Sequence, residues 1–519
     1  MRLFVLPLLL LIRPVATASE QPPNILLILA DDLGYGDLSC YSSESKIKTP
    51  HLDRLAALGM RFTDAHSPST VCTPSRYSLM TGRMCFRTGY RGVFTGVGGP
   101  SLIDEGRLTL PQMLKDKGYH TACIGKWHIG MTFQTPQGKP AWSLVVESPP
   151  QKDWRNGGAA LERVRRVDFS KPVTDGPIHR GFDRFFGTAC CPTTDWLYAF
   201  IDQDRVPVPP KKQLDHGPLP KHPYAYDNRR GLIAPDFDLE EVDLLFLKKS
   251  QEFLHRHKSE HSGKPFFLFH SMQAVHLPSF PAAQFKGATQ AGPHGDFIHE
   301  LDVITGRLLK TIDDLGYADN TLVIFGSDNG PEVTSVINMR KDHQHDGAHP
   351  WRGMKRDQWE GGHRTPFIVR WPGQVKPGSV SDAMVNLTDV MATCAAAAGA
   401  NLPNDAAEDS YNLLPVLNGD GTAVRSHLLT QTISLGLSIR TKRWKLLDHK
   451  GSGGNNYSRD NLKAYAIEDT DSDAPGQLYD LKKDPGETRN VYSQYPEIVA
   501  ALREKLQEYK STGRSAPVR

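Results

Sequence analysis

Residues 24–32 read NILLILADD, a mostly apolar run of seven residues that ends directly at two aspartates. Near-continuous hydrophobicity over this length is typical of a strand buried on both faces of a parallel sheet. Similar short runs predict further strands at residues 121–125, 265–270, 321–326 and 366–370. Because helix-like stretches separate several of these runs, we predict an α/β fold, with a large, mostly parallel or mixed sheet sandwiched by helices.

The pattern changes after about residue 400. The segments SIRT, RWKLLD and QLYDL are typical of short strands, and a final amphipathic helix is predicted to begin at Pro496. We therefore expect an N-terminal catalytic domain over residues 22–400 and a smaller C-terminal antiparallel α+β domain over residues 401–519. Helical spacing of apolar residues over 297–315 predicts a packing helix inside the first domain.

Composition and the N-terminus limit the classes of partner. With 61 basic and 58 acidic residues, the net charge of +3 gives no electrostatic reason to expect nucleic acid as a partner. Arg2, the apolar run over residues 3–12 and the small residues 16–18 form a signal-peptide pattern, so residues 1–18 predict export to a periplasmic, secreted or lysosome-like compartment. No later apolar run reaches about 18 residues, and no membrane span is predicted.

Two pairs of oxygen-bearing side chains follow predicted strands. Asp31 and Asp32 come after the first strand, and Asp328 and Asn329 come after the strand at 321–326. The carboxyl ends of strands in an open α/β sheet are where ligand sites collect. Three carboxylates and one amide oxygen suit Ca²⁺, or Mg²⁺ with retained waters, better than zinc, although the first pair alone would equally fit a solvated turn.

Cys72 begins the segment CTPSR. Pro74 fits the first turn of a helix, so the free backbone N–H groups of that turn could hold an anion near residue 72. The chain has seven cysteines, and an odd number leaves at least one without a disulfide partner, for which Cys72 is the candidate. Taken alone, Cys72 could also be a small buried hydrophobic residue.

Basic and proton-transfer groups form a further set: Lys126, His128, His276 and Lys355. A single lysine or histidine of this kind is usually structural or solvated. Together with metal-type carboxylates and a helix start that can hold an anion, the set predicts a site for a tetrahedral oxyanion ester.

The segment CTPSR, followed by TGR, resembles the sulfatase signature C-x-P-x-R. Further segments resemble the same family in the same order along the chain: DDLGYGD at 31–37, GKWHIG at 125–130, HLP at 276–278, SDNGP at 327–331, EGGHRTPFIVRWPG at 360–373 and LYDLKKDPGETRN at 478–490. The resemblance extends from about residue 22 to 495. It implies the alkaline-phosphatase-like fold and the branch that contains arylsulfatases and polysaccharide or glycosaminoglycan sulfatases.

The resemblance also implies a cofactor and a modification. A formylglycine-generating enzyme would convert Cys72 to formylglycine during maturation. One Ca²⁺ would be held by Asp31, Asp32, Asp328 and Asn329, with the modified Cys72 also contacting the metal. The implied substrate is a sulfated small molecule or glycan, with a sulfated carbohydrate expected in nature.

Catalytic roles follow from the resemblance in the same way. Arg76 would orient the formylglycine, while Lys126, Lys355 and His276 would bind the sulfate and the departing oxygen. One hydroxyl of the aldehyde hydrate would attack sulfur, and the alcohol would leave with a proton from His276 or Lys355. His128 would then help to deprotonate the second hydroxyl, which expels sulfate and restores the aldehyde.

Two other functions remain open at this point. One is a phosphate or phosphonate monoester hydrolase on the same scaffold, from which a preference for sulfate esters would distinguish a sulfatase. The other is a noncatalytic exported protein that keeps the thiol of Cys72 and binds sulfated sugars.

Three regions depart from the family pattern or carry no motif. Arg356 follows Lys355 where many relatives have a small residue. The histidine-rich residues 343–349 could form a second metal site, line the substrate pocket or lie in solvent. Residues 135–230 show no clear pattern of helices or strands, and they could shape a substrate cleft or form a loop on the surface. Within this segment, the adjacent cysteines and the aromatic side chains at 190–198 could contact a sugar or aromatic ring.

Overall fold

The computed structural model describes residues 22–146, 157–225, 227–421 and 423–519. The predicted signal peptide, residues 1–18, lies outside the described residues. Within the described part of the chain, no helix is long and apolar enough to cross a membrane.

The described residues form eighteen strands and eleven α-helices. The strands are β1 (Asn24–Ala30), β2 (Met60–Phe62), β3 (Ala65–His66), β4 (His120–Lys126), β5 (Arg184–Thr188), β6 (Leu197–Tyr198), β7 (Ile201–Asp202), β8 (Lys212–Gln213), β9 (Leu232–Ile233), β10 (Phe266–Ser271), β11 (Thr321–Ser327), β12 (Phe367–Arg370), β13 (Ser379–Ser381), β14 (Val385–Asn386), β15 (Leu428–Gln431), β16 (Leu437–Arg440), β17 (Trp444–Leu447) and β18 (Gln477–Asp480). The helices are α1 (Pro50–Leu58), α2 (Cys72–Thr81), α3 (Leu110–Asp116), α4 (Ala159–Arg165), α5 (Val242–Glu260), α6 (Gly292–Asp314), α7 (Val333–His343), α8 (Asp389–Ala397), α9 (Leu414–Leu417), α10 (Asp460–Lys463) and α11 (Pro496–Ser511).

A nine-stranded mixed sheet forms the centre of the fold, in the order β13-β2-β12-β11-β1-β10-β4-β5-β7. Its five middle strands, from β11 to β5, are parallel, while β12 and β7 run antiparallel to their neighbours. Every residue of β1 is buried, as its apolar sequence predicts. All five predicted strands are confirmed within this sheet; β5 was missed because it lies in the segment that shows no clear periodicity.

Helices cover this large sheet, which confirms the predicted α/β class. Helices α1, α5 and α6 pack against one another, and α2, α3 and α8 form a second packed group. The predicted packing helix is α6, whose apolar residues Phe297, Leu301, Ile304, Leu308 and Ile312 are all buried. Such burial on one face explains why the helical spacing of these residues was readable from the sequence.

A second, smaller sheet contains four antiparallel strands in the order β15-β16-β17-β18. Helix α11 packs on β16 and β17, and its Leu502 and Leu506 join a separate apolar core with Ile439 and Leu446. This confirms the predicted antiparallel α+β unit. Helix α9, by contrast, packs into the core of the large sheet although it follows residue 400, and the domain boundary at 401 stays a prediction.

Buried charged side chains join the two sheets in what we call the interface cluster: Asp64, His66, Glu360, His363, Arg440 and Lys445. Arg440, on β16, donates to Asp64 at 3.0 Å and to Glu360 at 2.7 Å. Lys445, on β17, donates to Glu360 at 3.0 Å. The small sheet is therefore attached to the large one through paired charges as well as apolar contacts.

Candidate active site

Four of the five parallel strands bring polar side chains to the same edge of the large sheet. Asp31 follows β1, Lys126 ends β4, His276 lies in the loop after β10, and Asp328 follows β11. Because these strands are parallel neighbours, their carboxyl ends meet at one place. The sequence-predicted residues from distant segments are thereby brought together.

The oxygen-bearing set is compact and buried. Asn329 Nδ2 donates to Asp32 Oδ1 at 2.7 Å, and the backbone N–H of Asp32 donates to Asp328 Oδ1 at 3.3 Å. Two side-chain oxygens in this set, Asp31 Oδ1 and Asn329 Oδ1, are buried without a hydrogen-bond partner among the described residues. An oxygen left unpaired in a protein interior costs free energy unless a ligand satisfies it.

Three cationic side chains pair with the three carboxylates. Lys126 Nζ contacts Asp31, and Lys355 Nζ donates to Asp32 Oδ2 at 2.8 Å. Arg76, from α2, donates through Nε to Asp328 Oδ2 at 2.7 Å. Its Nη1 donates to the carbonyl of Lys126 at 3.0 Å and to Ser271 Oγ at 2.6 Å, which fixes the guanidinium across the strand ends.

Burial and charge set the protonation of these groups. Desolvation raises the pKa of Asp32 to about 7 and that of Asp328 to about 7, and the nearby charge of Asp31 acts on both in the same direction. Desolvation also acts to raise the pKa of Asp31, but Lys126, His276 and Arg76 together outweigh it and hold that pKa below its usual value. Burial alone would lower the pKa of Lys355, but the carboxylates of Asp32 and Glu332 together hold it above its usual range.

Cys72 is the first residue of α2 and is buried. The preceding Val71 is extended and its side chain does not cap the helix, as the prediction of an anion-holding helix start requires. The thiol of Cys191, hydrogen-bonded to the Cys72 sulfur, holds the pKa of Cys72 well below its usual range, and the charge of Lys126 adds to this effect despite burial. The nearness of Cys191 was missed from the sequence, because nothing in the motif around residue 72 points to residue 191.

Two histidines, His128 and His276, lie near Cys72, and the hydrogen bonds of each ring define its tautomer. His128 Nε2 donates to the carbonyl of Phe94 at 2.8 Å, which leaves Nδ1 as a buried lone pair without a partner among the described residues. His276 Nδ1 donates to the carbonyl of Leu277 at 2.6 Å, and its Nε2 lies 3.7 Å from Asp32 Oδ2. Desolvation lowers the pKa of His276 to about 4, so the free imidazole is neutral at neutral pH.

Asp243, on α5, supports the loop that carries His276. Its two carboxylate oxygens accept backbone N–H groups of Gln273 at 2.8 Å and Ala274 at 2.9 Å. The next residue in that loop, Val275, donates its N–H to the carbonyl of Asp31 at 2.6 Å. Asp243 therefore links helix, loop and carboxylate cluster, a role that the sequence did not indicate because it depends on a long-range contact.

A cavity of about 520 Å³ opens over Cys72, His128, His276 and Lys355. Part of its wall comes from residues 194–195 and 227–229 of the segment that the sequence left unassigned, which favours the predicted cleft over a surface excursion. Other lining residues come from 332–334 and from 454–462, and the latter segment was missed. The cavity wall thus combines loops of both parts of the chain.

The cavity lining decides between alternatives that the sequence left open, because Cys191 and Asp195 contribute to it and the histidine-rich segment does not. None of residues 343–349 lines the cavity; His345 is buried, with Nε2 at 2.8 Å from Asp37 and Nδ1 accepting from the backbone N–H of Lys46 at 3.2 Å, so its ring serves packing. Trp196 and Tyr198 are also buried in the apolar core and do not line the cavity. The sequence could not decide these alternatives, because residue type alone does not show which way a loop side chain points.

Arg356 does line the cavity. Its backbone has φ of 78°, a left-handed conformation that favours glycine. Its guanidinium makes a bidentate ion pair with Glu332, and its Nε donates to Asn455 at 3.3 Å. Glu332 also lies 3.6 Å from Lys355, so Arg356 and Lys355 share one carboxylate at the rim of the site.

All seven cysteines are among the described residues, and none forms a disulfide. Cys72 and Cys191 line the cavity, whereas Cys190 lies behind it. Burial raises the pKa of the Cys190 thiol well above its usual value. The two adjacent cysteines therefore occupy different environments.

Comparison with known proteins agrees with this geometry. A family model described as Sulfatase matches residues 23–400. The N-acetylgalactosamine-6-O-sulfatase of Bacteroides thetaiotaomicron is 33% identical over 508 residues, which cover 95% of this chain and 94% of that protein. Human arylsulfatase A is 32% identical over 96% of this chain and 89% of its own length.

Solved structures give the same result. One from work on the metabolism of multiple glycosaminoglycans by Bacteroides thetaiotaomicron has a TM-score of 0.76 and 30% identity, over 95% of this chain and 100% of its own. The PsFucS1 sulfatase from a Pseudoalteromonas species has a TM-score of 0.68 and 25% identity, over 96% and 92%. Family, fold and site geometry together identify the chain as a member of the sulfatase family of sulfuric ester hydrolases.

Proposed function

We propose that this chain hydrolyses sulfate monoesters of carbohydrates with a formylglycine made from Cys72 and one bound Ca²⁺. The observation that carries the proposal is a cavity lined by a buried cysteine at a helix start and by two histidines, with a buried oxygen-donor set in contact with its lining residues Lys355 and His276. We further propose that residues 1–18 direct export and that a formylglycine-generating enzyme acts on the chain during maturation.

The residues proposed to hold Ca²⁺ are Asp31, Asp32, Asp328 and Asn329. They fit a hard cation because all offer oxygen, and because Asp31 Oδ1 and Asn329 Oδ1 are buried without partners among the described residues. The charges of the three carboxylates and of the three cationic side chains cancel. A bound divalent cation would therefore give the site a net charge of about +2, which attracts an anionic ester. When bound, calcium supplies positive charge that orients the sulfate oxygens and stabilises charge developing on them.

Cys72 is placed where a nucleophile derived from it would meet a bound ester. When formed, the formylglycine supplies a hydrated aldehyde, whose two hydroxyls provide a nucleophile and a means to release sulfate. Arg76 keeps the strand ends fixed beneath this position through its bonds to Asp328 and Ser271. The proposed role of His128 follows from its tautomer, because only Nδ1 carries a lone pair that can accept a proton.

The departing oxygen needs a proton donor, and two groups are candidates. Lys355 is cationic at neutral pH because burial, which would lower its pKa, is outweighed by the carboxylates of Asp32 and Glu332 together. His276 is neutral in the free protein, since burial lowers its pKa to about 4. A bound sulfate ester would bring negative charge to Nε2 and raise that pKa, so His276 becomes an effective donor only with substrate in place.

Sulfated carbohydrate is the substrate class that the cavity wall favours. Its lining includes Asp195, Asp227, Arg229 and Asn456, which offer both donors and acceptors to hydroxyl groups. Two of the relatives are named for sulfatase activity on N-acetylgalactosamine 6-sulfate groups. We therefore propose an N-acetylhexosamine 6-sulfate as the first substrate to test.

The test measures sulfate release by the full chain produced with and without a formylglycine-generating enzyme. Substrates should include 6-sulfated N-acetylgalactosamine, an aryl sulfate and the matching aryl phosphate. The proposal expects release of sulfate only from protein produced with the modifying enzyme, and a strong preference for sulfate over phosphate. Faster release of phosphate would favour the phosphate ester hydrolase, and tight binding of sulfated sugar without turnover would favour the binding protein.

Calcium is tested by thermal unfolding. Ca²⁺ at about 100 times its dissociation constant should stabilise the folded protein by about 2.7 kcal/mol. Asp328→Ala should remove most of this stabilisation, with Asp319→Ala, at a site outside the cavity, as the matched control. Equal calcium stabilisation in wild type and Asp328→Ala would remove Asp328 from the ligand set.

A further inference from the structure

Cys72, His128 and Cys191 form a second group of potential metal ligands beside the oxygen-donor set. Cys72 Sγ, Cys191 Sγ and a ring nitrogen of His128 all lie within 4.8 Å of one another, and all three residues are buried. Because His128 Nε2 is occupied by the carbonyl of Phe94, the available nitrogen is Nδ1. That nitrogen is a buried lone pair without a partner among the described residues.

A fourth group lies next to these three. His276 Nε2 is 3.9 Å from Cys191 Sγ, and it too carries a lone pair because Nδ1 donates to the carbonyl of Leu277. Both histidines thus have one ring nitrogen fixed by a backbone carbonyl, while the other carries a lone pair, which in His276 lies next to Cys191 Sγ. Zinc-ligating histidines usually have this arrangement, because the outer hydrogen bond sets the tautomer and the ring orientation.

We propose that, in chains whose Cys72 keeps its thiol, Cys72, Cys191 and His128 bind a soft divalent cation such as Zn²⁺, with His276 as the fourth ligand. Two sulfurs and two imidazole nitrogens are a common ligand set for tetrahedral zinc. The oxygen-donor set beside it suits hard cations instead, so ligand chemistry separates the two sites. Zinc is held by thiolates, so binding releases to solvent any proton that the two sulfurs still carry, including that of the Cys191 thiol.

The site has a consequence for maturation that rests on the proposed function. Conversion of Cys72 to formylglycine removes one of the two thiolates and should weaken the site. A soft cation bound there would also occupy the lone pairs of His128 and His276, which the proposed hydrolysis needs. The unconverted chain is therefore the form that holds zinc, and the converted chain is the form that turns over ester.

Co²⁺ is the probe, since it reports ligand type and geometry through its absorption spectrum. The full chain produced without a formylglycine-generating enzyme, with the Cys72 thiol verified by mass, is titrated with Co²⁺ alone. We expect intense tetrahedral d–d bands and thiolate charge-transfer absorption, both lost when Zn²⁺ is added. Weak bands of an octahedral oxygen site, with no charge-transfer absorption, would overturn the proposal.

Variants separate Cys191 from its neighbour. Cys191→Ala should roughly halve the charge-transfer absorption and weaken Zn²⁺ binding at least about tenfold, since even loss of an outer-shell partner costs 10–100-fold. Cys190→Ala is the matched control, because this adjacent buried cysteine does not line the cavity, and it should bind as wild type does. Unchanged binding in Cys191→Ala, or equal losses in both variants, would overturn the assignment.

X-ray absorption at the zinc edge measures the ligand atoms and their distances in the wild-type chain. Because no variant is used, the result does not depend on whether a variant folds. The proposal expects two sulfur neighbours at about 2.3 Å and nitrogen neighbours at about 2.0–2.1 Å. A shell of oxygen and nitrogen alone would contradict it. These measurements use the unconverted chain, so their failure leaves sulfate release by the converted chain untouched, and absence of sulfate release leaves the zinc result standing.

Discussion

The interface cluster and the candidate active site are both buried and both combine carboxylates, cations and histidines, but they differ in how many polar atoms lack partners. In the interface cluster, Glu360 accepts from Arg440, Arg364 and Lys445, and both ring nitrogens of His66 and His363 have polar partners. In the active site, Asp31, Asn329 and His128 each present a buried atom without a partner among the described residues.

This difference separates two uses of buried charge. A group of three possible metal ligands occurs in both regions, yet in the interface cluster Arg440 and Lys445 already fill the place that a metal cation would take. In the active site, His128 lines the cavity, and Asp31 and Asn329 belong to the oxygen-donor set beside its lining residues. In these two regions, therefore, unpartnered polar atoms lie where a ligand is proposed, while the satisfied cluster attaches one sheet to the other.

Cys72→Ala should have the largest effect of any single change and should act on function alone. Loss of the residue that provides the nucleophile is expected to lower turnover by about 10⁴-fold or more. Unfolding in urea should change little, because the side chain removed is small and α2 keeps its other contacts. Activity within tenfold of wild type, measured as sulfate release, would contradict the role of Cys72.

Glu360→Ala should have the opposite effect, on stability. Removing this carboxylate takes one of two counter-charges from each of the buried cations Arg440 and Lys445, and loss of a buried ion-pair partner typically costs about 3–5 kcal/mol of unfolding free energy. Glu240→Ala, at the exposed pair with Lys286, is the control and should cost less than about 1 kcal/mol. Similar urea midpoints for the two variants would show that the interface cluster does not hold the sheets together.

The buried His270 should contribute to the loss of stability in acid. Burial lowers the pKa of His270, on β10, to about 3, so it is neutral when folded and takes up a proton at about pH 6.5 when unfolded. Its contribution to stability is present above pH 6.5 and is lost as the pH falls from 6.5 towards 3. His270→Gln should therefore lose about 2 kcal/mol less than wild type between pH 7 and pH 5.

The matched control for this pH effect is His255→Gln, because His255 lies exposed on α5. That variant should follow the wild-type dependence of unfolding free energy on pH. If the unfolding free energy of His270→Gln also depends on pH as that of the wild type does, then His270 is protonated in the folded protein. Its burial would then not cause the loss of stability in acid.

Arg356→Gly should have the smallest effect on stability. Glycine removes the cost of the left-handed backbone, about 1 kcal/mol, and loss of the ion pair with the nearly buried Glu332 costs a similar amount, because Lys355 stays beside that carboxylate. The unfolding free energy should stay within about 1 kcal/mol of wild type, while KM for a sulfated sugar rises because the cavity rim loses a cation. An unchanged KM would show that Arg356 does not contact substrate.

The sequence predicted the centre of the molecule better than its rim. The strands β1, β4, β10, β11 and β12 were readable because burial on both faces forces continuous apolar runs. The site residues at their ends were readable because short motifs hold them at fixed places next to those strands. Both signals are local in sequence.

What the sequence did not reveal depends on contacts between distant segments. Cys191 meets Cys72 across more than a hundred residues, and Asp243 supports the His276 loop from a helix that carries no motif. Residues 454–462 reach the cavity from the far part of the chain. The interface cluster was also missed, because the pairing of Glu360 with Arg440 and Lys445 follows only from how the small sheet docks on the large one.

The most direct test of the account is the mass of the peptide that contains Cys72, taken from protein made in its native host and assayed in parallel for sulfate release. The account predicts a mass about 18 Da below that of the unmodified peptide, as expected when the thiol-bearing carbon becomes an aldehyde, together with release of sulfate. An unmodified Cys72 in protein that still releases sulfate would contradict the formylglycine mechanism.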